Sequence, residues 1–170
     1  MIDKPKVLVV MGSDSDYEIV KGCLHILRQF EIDFEAIICS AHRTPDEAAL
    51  AAKNAVAQGF GVIVAAAGKA AHLPGVLAAF TTLPVIGLPI KSSTMDGLDS
   101  LLSIVQMPNG VPVATVAING GENAGLLAAQ ILGLKYPGVS DKLLAYKESM
   151  KNKVIKKNME MQSIIKRDFM

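Results

Sequence analysis

The sequence predicts an α/β fold in which one doubly wound parallel sheet lies between two layers of helices. Two observations predict it. Five short apolar runs rich in Val, Ile and Ala recur along the 170 residues, and a helical pattern follows each of them. Runs that are apolar on both faces are typical of buried parallel strands, and alternation with helices supplies the crossover connections. Five such units favour the flavodoxin-like strand order 2-1-3-4-5.

The first half of the chain alternates strands with two amphipathic helices. Its apolar runs predict strands at residues 7–11, 34–39 and 62–66. After a turn at residues 12–16, helical spacing of apolar residues predicts the first helix, which carries Ile19, Val20, Cys23, Leu24, Leu27 and Phe30. The second helix is predicted at residues 45–58. Thr44 and Glu47 predict a capping box at its start, where Pro45 suits the first helical position.

The second half contains shorter elements separated by turn residues. Strands are predicted at residues 84–88 and 113–118, and helices follow at 97–105 and 122–132, after a short alanine-rich helix that ends near Thr81. Residues 142–166 have the pattern of a charged amphipathic helix. We expect one domain over residues 1–135 and a protruding helical extension over residues 136–170. The extension has no further domain to pack on, so it either crosses a neighbouring subunit or frays.

Composition disfavours several classes of function. The net charge is +1, and no basic patch with interleaved aromatic residues precedes residue 147, so nucleic-acid binding is not expected. No apolar run has membrane-spanning length and the N-terminus lacks signal-peptide features, so we expect a cytoplasmic protein without a membrane partner. Cys23 and Cys39 are expected to be reduced. The two cysteines and three histidines show no zinc-ligand spacing.

The apolar content is high for a chain of this size. Hydrophobic residues make up 51% of the sequence, although aromatic residues make up only 5%, and the mean hydropathy is +0.36. A small monomer does not normally bury this much apolar surface, so part of it should face other subunits. The sequence therefore predicts a homo-oligomer.

The predicted topology brings three loops to one edge of the sheet. In the order 2-1-3-4-5, the loops at residues 12–16, 40–43 and 68–72 follow the first three strands and converge near the switch point. Ligands of doubly wound sheets bind outside the carboxyl ends of the strands at such points. These loops are therefore the candidate site.

The loop after the second strand combines an anion site with a proton carrier. The N–H groups at the start of the next helix favour anions, and Arg43 adds a fork of donors suited to phosphate or carboxylate. His42 carries an imidazole, a group that gains and loses a proton near neutral pH. The alternative is that His42 is an ordinary loop histidine and Arg43 a solvated charge.

The two other loops carry weaker signals. Ser13 could donate to a phosphate and Asp16 accept from sugar hydroxyls, although both residues are also common helix caps. Residues 68–75 are small and nearly uncharged, which lets backbone approach a ligand and leaves a dry cavity for a neutral, gas-like intermediate. A histidine in such a loop, here His72, is more often a hydrogen-bonded structural residue than a catalytic one. No P-loop, well-placed GxGxxG or nucleophile elbow supports ATP, NAD or hydrolase chemistry.

Four motifs in order carry a family resemblance. They are MGSxSD at 11–16, SAHRTP at 40–45, GxAAHLPG at 68–75 and SIVQMPxG at 103–110. With these motifs, residues 6 to about 135 resemble the PurE family, and specifically its class I branch, the N5-carboxyaminoimidazole ribonucleotide mutases of de novo purine synthesis. Class II members, which carboxylate aminoimidazole ribonucleotide directly, typically have lysine in place of Arg43 and lack the AAHLPG run.

The resemblance implies a mechanism and a set of site residues. It implies a homo-octamer whose flavodoxin-like domain is catalytic, a phosphoribosyl-aminoimidazole substrate, and neither metal nor organic cofactor. His42 would be the general acid/base while the carboxylate leaves nitrogen as CO2, stays trapped, and is attacked by C4 of the ring. Ser13, Asp16 and Arg43 would bind the ribose phosphate end. The migrating carboxylate would lie among Ser40, Gly68, Lys69, Ala70, His72 and Leu73. A further expectation is transient contact with the enzyme that supplies the unstable substrate.

The chain departs from the family pattern at Ala66 and Lys69, where glycine is usual. Lys69 could pair with the carboxylate, or it could point to solvent or to an adjacent subunit. We expect the second arrangement, because an unpaired buried ammonium would be costly. Two other functions compete with the mutase: direct carboxylation of aminoimidazole ribonucleotide, and a phosphoribosyl-ligand sensor that has lost catalysis, against which the intact His42 argues.

Overall fold

A computed structural model describes residues 4–170 and contains one five-stranded parallel sheet in the order β2-β1-β3-β4-β5. The predicted strand order and three-layer α/β class are therefore confirmed. The strands are β1 Lys6–Met11, β2 Asp33–Ile38, β3 Val62–Gly68, β4 Val85–Ile90 and β5 Ala114–Thr115. The helices are α1 Tyr17–Gln29, α2 Pro45–Asn54, α3 Leu73–Ala79, α4 Leu98–Val105, α5 Gly121–Gly133 and α6 Pro137–Phe169, and a 3-10 turn, Asp14–Asp16, precedes α1.

Helices cover both faces of the sheet, which explains why its central strands are apolar throughout. Side chains alternate along β1, so that Val7 and Val9 join the core beneath α1 and α5, whereas Leu8 and Val10 join the core beneath α2 and α3. All but the last residue of β3 and all of β4 are buried. In contrast, β2 is an edge strand whose residues are mostly exposed.

Two glycines let α1 and α5 pack closely. A Cβ on Gly121 would collide with the carbonyl oxygen of Ile19, and a Cβ on Gly125 would lie 2.9 Å from the carbonyl oxygen of Cys23. Cys23 is fully buried in this contact, and burial raises the pKa of its thiol to about 12. The thiol therefore stays protonated, as expected for a structural cysteine.

The fifth strand is shorter than the predicted 113–118. Only two residues form a ladder with β4, although the backbone N–H groups of Val116 and Asn119 still donate to Gly87 and Pro89 of that strand. Pro89 has no N–H with which to return a bond, so the regular ladder ends there.

The predicted capping box at the start of α2 is wrong. The Thr44 hydroxyl donates to the carbonyl oxygen of Ser40 at 3.1 Å and accepts from the N–H of Ser40 at 2.9 Å, so it closes the preceding loop. Instead, a capping box forms before α1: Ser13 Oγ accepts from the Ser15 N–H, and Asp16 Oδ2 accepts from the Ser13 N–H at 3.1 Å.

The C-terminal helix begins earlier than predicted, and its first turns pack on this chain. Val139 is buried in the core beneath α5, and the Tyr146 ring lies 5.7 Å from that of Phe30. Lys142 Nζ pairs with the Glu31 carboxylate at 2.7 Å, which lowers the pKa of that carboxyl. Residues 147–169 remain helical and almost entirely exposed. The first turns of the extension therefore pack on the α/β domain, a contact that the sequence did not predict.

The long helix also bears on the membrane question. Within residues 4–170, no helix combines the length and apolar character needed to cross a bilayer.

Candidate active site

A cleft of about 740 Å³ opens at the carboxyl edge of the sheet. The loops after β1, β2 and β3 converge there as predicted. All ten predicted site residues line it: Ser13, Asp16, Ser40, His42, Arg43, Gly68, Lys69, Ala70, His72 and Leu73. The last residue of β4 and the loop after it also contribute, through residues 90–93, and sequence reasoning missed this contribution. The strand order contained the signal, because β4 neighbours β3 and ends at the same edge.

The loop after β1 holds a buried carboxylate. Asp16 is only 5% exposed, and it accepts hydrogen bonds from the Ser13 N–H and from the Ser15 hydroxyl. Burial raises the pKa of the Asp16 carboxyl above its ordinary value, because desolvation outweighs these hydrogen bonds. The acid is therefore held rigidly, with fewer water contacts than a surface carboxylate.

The loop after β2 is fastened to the loop after β1. Arg43 Nη2 donates to the carbonyl oxygen of Gly12 at 3.4 Å, and both its Nε and its backbone N–H donate to Ser40 Oγ, at 3.4 and 3.3 Å. A guanidinium has five N–H donors, so three remain for a ligand. The exposed Arg43 thus adds positive charge and directed donors beside the Ser13 turn.

Two histidines meet across the cleft. His42 Nε2 lies 2.8 Å from His72 Nδ1, and the ring planes are inclined by 76°. In a neutral pair one nitrogen donates and the other accepts, so each ring restricts the tautomer of the other. Both side chains are exposed at the cleft, so the pair can exchange protons with a ligand or with water. Sequence reasoning brought the two loops together but did not predict this contact.

The loop after β3 offers space rather than polar groups. Ala67, Gly68, Ala70 and Ala71 carry no polar side-chain atoms, and a Cβ on Gly68 would lie 3.4 Å from the carbonyl oxygen of Ile90. The buried side chains of Leu73 and Ile90 add apolar lining. This wall can therefore enclose a small, weakly solvated group.

Lys69 is the charged residue in this loop. Its side chain is exposed and its backbone adopts a φ of +55°. The expectation that it points to solvent is consistent with this exposure, yet Lys69 also lines the cleft. Lys91, on the neighbouring loop, instead pairs with Asp96 at 3.0 Å.

Metal ligands form no comparable arrangement in the described part of the chain. No group of three or more His, Cys, Asp or Glu side chains is placed to hold a metal ion between residues 4 and 170.

The fold and the cleft together define an α/β protein with a polar cleft at the carboxyl edge of its sheet, lined by the cation Arg43 and by a pair of histidines in contact. The sequence model of the AIR carboxylase family matches residues 6–153, and the chain belongs to this family. The resemblance to PurE is therefore confirmed. The match extends beyond residue 135 and includes the first half of α6.

Relatives and solved structures agree with this membership. The chain is 58% identical over 160 residues to the N5-carboxyaminoimidazole ribonucleotide mutase of Thermotoga maritima, which covers 94% of each chain. It is 56% identical over 155 residues to the protein of the same name from Pyrococcus horikoshii, covering 91% of this chain and 88% of the other. It is also 49% identical to the phosphoribosylaminoimidazole carboxylase of Schizosaccharomyces pombe, covering 96% of this chain but 30% of that one. The crystal structure of Treponema denticola PurE superposes with a TM-score of 0.85 at 30% identity, covering 92% of this chain and 98% of that one.

Proposed function

We propose that the chain converts N5-carboxyaminoimidazole ribonucleotide to 4-carboxy-5-aminoimidazole ribonucleotide in the de novo synthesis of purines (IMP). Relatives that carry the name of this mutase share 56–58% of their residues with the chain over about nine-tenths of its length. The observation that carries the proposal is the position of His42, which faces the small-residue loop across the cleft and touches His72 at 2.8 Å.

In this proposal the ribose phosphate end binds beside the loops after β1 and β2. The Ser13 hydroxyl and the unused donors of Arg43 bind the phosphate. Asp16 accepts from the ribose hydroxyls. Charge supports this division of roles, because a carboxylate beside a phosphate is repelled unless it faces hydroxyl groups, and the hydrogen bond from the Ser13 N–H fixes the Asp16 carboxylate in place.

The carboxylate end lies between Ser40 and residues 68–73. Small side chains border this space, and His72 and Leu73 line it too. The small side chains of this wall support the proposal in one respect: CO2 is neutral and apolar, and Ala, Gly and Leu present no polar side-chain atoms that would hold water in its place.

The reaction then needs one carbon and one proton to change position. The bond between the exocyclic nitrogen and the carboxyl carbon breaks, and its electron pair stays on the aminoimidazole. The retained CO2 is attacked by C4, which forms the new carbon–carbon bond. The proton on C4 must leave, and a proton must reach the exocyclic nitrogen. His42 performs both transfers, each typically worth about 10²- to 10⁴-fold in rate. Confinement of CO2 contributes a high effective concentration.

The balance of this reaction requires neither a metal nor an organic cofactor. No atom changes its oxidation state through an external oxidant or reductant, and the electrons for the new bond come from the ring. We therefore propose that the chain acts on its nucleotide alone.

We further propose a cytoplasmic homo-octamer in which the exposed part of α6 packs on a neighbouring subunit. Apolar side chains exposed on α4 and α6 support this assembly, namely Leu98, Leu102, Val105, Val154 and Met159. Light scattering should give eight times the chain mass of 18.0 kDa. Transient contact with the enzyme that supplies the unstable substrate belongs to the same proposal.

Replacing the proposed acid/base tests the function directly. We expect His42→Asn to retain nucleotide binding, because the cleft keeps its shape, and to lower kcat by about 10²- to 10⁴-fold. The measurements are calorimetric titration and steady-state turnover. His25→Asn is the matched control, since His25 is an exposed histidine on α1 that does not line the cleft. Unchanged turnover in His42→Asn would exclude His42 as the acid/base, whereas a parent chain that binds the nucleotide without turning it over would be the non-catalytic sensor.

Direct carboxylation of aminoimidazole ribonucleotide is the second candidate. It is favoured by the family description and by the name of the Schizosaccharomyces pombe relative. The two reactions differ in their carbon source. A mutase converts N5-carboxyaminoimidazole ribonucleotide without added bicarbonate. A carboxylase consumes aminoimidazole ribonucleotide only when bicarbonate or CO2 is supplied.

A further inference from the structure

Lys69 has a backbone conformation that is unfavourable for a residue with a Cβ. Its φ is +55°. Among the other non-glycine residues of the described chain, only Glu31, Asp96 and Asn119 have a positive φ. Each of those three has a protein partner: Glu31 pairs with Lys142, Asp96 pairs with Lys91, and Asn119 Oδ1 accepts from the Lys91 N–H at 2.8 Å. Lys69 makes no such bond to any residue between 4 and 170.

The cations of the cleft differ in the same way. Arg43 is bound to Gly12 and Ser40, and Lys91 is neutralised by Asp96 at 3.0 Å. The Lys69 ammonium is exposed at the rim without a counter-charge among the described residues. It is therefore the cation of the cleft with the most capacity to take up an anion from a ligand.

The position of Lys69 indicates which anionic group it meets. Arg43 follows β2, and Lys69 follows β3, with β1 between these strands. The strands that lead to the two cations thus lie on opposite sides of β1. A substrate with a phosphate at one end and a carboxylate at the other has negative charge at both sides. With the phosphate assigned to Arg43 and Ser13, the carboxylate is the group on the Lys69 side.

We infer that the Lys69 ammonium binds the carboxylate of substrate and product, and so discriminates carboxylated nucleotides from aminoimidazole ribonucleotide without a carboxylate. The inference rests on the proposed function, whose nucleotides it distinguishes. It also reconciles the solvent exposure of the free side chain with its place in the cleft, because the ammonium is hydrated when the cleft is free and paired when it is filled.

The chemistry predicts that this contact affects KM rather than kcat. Before the reaction the carboxylate bears the negative charge, whereas cleavage moves that charge into the ring and leaves neutral CO2. An ammonium that pairs with the carboxylate therefore stabilises the bound substrate at least as strongly as the transition state. Loss of Lys69 should raise KM and leave kcat unchanged or slightly higher.

The test compares two nucleotides in variants that separate charge from backbone conformation. Lys69→Gly and Lys69→Asn both remove the charge, and both residues tolerate a positive φ. Lys69→Arg keeps the charge. Lys53→Gln is the control for net charge, because Lys53 lies over the Phe80 ring and does not line the cleft. Binding is measured by calorimetry with 4-carboxy-5-aminoimidazole ribonucleotide and with aminoimidazole ribonucleotide. All variants carry His42→Asn as well, so that the bound nucleotide does not react during the titration.

We expect Lys69→Gly and Lys69→Asn to weaken binding of the carboxylated nucleotide by about fivefold, as for an exposed ion pair. Binding of aminoimidazole ribonucleotide should remain within error of the parent in every variant. Lys69→Arg and Lys53→Gln should also bind the carboxylated nucleotide within error of the parent. With His42 present, the same two variants should raise KM by a similar factor. Equal weakening of both nucleotides, no change in either, or a fall in kcat at constant KM would overturn the inference. A parent chain that binds both nucleotides but does not convert N5-carboxyaminoimidazole ribonucleotide to 4-carboxy-5-aminoimidazole ribonucleotide would instead overturn the proposed function and leave the binding comparison valid.

Discussion

The two sides of the cleft are built in opposite ways. The first wall, residues 12–16 and 40–43, is held by hydrogen bonds from its own side chains, including those of Asp16 to the Ser13 turn and of Arg43 to Gly12. The second wall, residues 67–73, is made mainly of alanine and glycine, and among residues 4–170 its one side-chain hydrogen bond is that between His72 and His42. A rigid polar wall suits the end of a ligand that stays in place. A wall of small residues suits the end at which a group moves.

This difference follows from which atoms each wall presents. On the first wall, the donors and acceptors are oriented before a ligand arrives, so little reorganisation accompanies binding. On the second wall, the absence of side chains beyond Cβ creates the space, and Leu73 and Ile90 keep it apolar. The comparison predicts that adding atoms will harm the second wall, whereas removing atoms will harm the first.

Apart from the loss of His42, the largest effect is expected from filling the second wall. Ala70→Leu adds three carbons to an exposed alanine of the cleft, where the proposed carboxylate migrates. We expect kcat/KM to fall by about 10²-fold, because small displacements of reacting groups have effects of this order. Steady-state kinetics measures the effect, with thermal melting as a check on folding.

The control for Ala70→Leu is Ala79→Leu at the far end of α3, where the alanine is also exposed but does not line the cleft. If Ala70→Leu melts like the parent and retains full kcat/KM, the second wall does not enclose the reacting group.

The next effect is expected from removing donors from the first wall. Arg43→Gln should raise KM by about 30-fold, since a hydrogen bond to a charged group contributes about 2 kcal/mol. Arg43→Lys should have an intermediate effect, because it keeps the charge and loses the fork. A nucleoside without phosphate should bind parent and variants equally. Arg28→Gln is the control, because Arg28 is exposed on α1. If Arg43→Gln weakens binding of the nucleoside as much as binding of the nucleotide, the phosphate lies elsewhere.

Asp16 sharpens the comparison through the pH dependence of stability. Its folded-state pKa lies above the reference value of 3.8, so the folded chain binds more protons than the unfolded chain between the two pKa values. Stability contributed by this group therefore falls as pH rises through that window and stays lower at neutral pH. Asp16→Asn removes the charge. We expect its melting temperature, relative to that of the parent, to be higher at pH 7 than at pH 4.

An exposed acid outside the cleft separates this effect from a general change of charge. Asp33→Asn, on the edge strand β2, should give a melting difference from the parent that varies less between the two pH values. A pH-independent difference for Asp16→Asn would mean that burial does not penalise the Asp16 carboxylate.

The fold could be predicted because its main signals are local in sequence. Runs such as residues 62–66 are apolar on both faces, and a strand with this pattern must lie between two helical layers. The strand order followed from counting the alternating units. The effect of one strand on its neighbour cannot be read from the sequence of either strand alone. The shortening of β5 depends on Pro89 in β4, and no pattern within residues 113–118 indicates it.

The site was predictable as a set of loops but not as a set of contacts. Thr44 and Glu47 satisfy the local rule for a capping box, yet the Thr44 hydroxyl is already bonded to both backbone groups of Ser40. The early start of α6 depends likewise on contacts with Phe30 and Glu31, more than 100 residues away. Topology brought the loops of His42 and His72 to one crevice, whereas the bond between their rings depends on side-chain conformation.

That bond gives the smallest predicted effect. His72 holds the His42 ring through one neutral hydrogen bond, and a bond of this kind contributes about 1 kcal/mol, so His72→Asn should lower kcat by about fivefold. The loss stays small because His42 is exposed and can exchange its proton with water without passing it through His72. His72→Asn with His42→Asn should be no slower than His42→Asn alone, if His72 acts only by positioning. A fall in kcat for His72→Asn as large as that for His42→Asn would show instead that the proton passes through both rings.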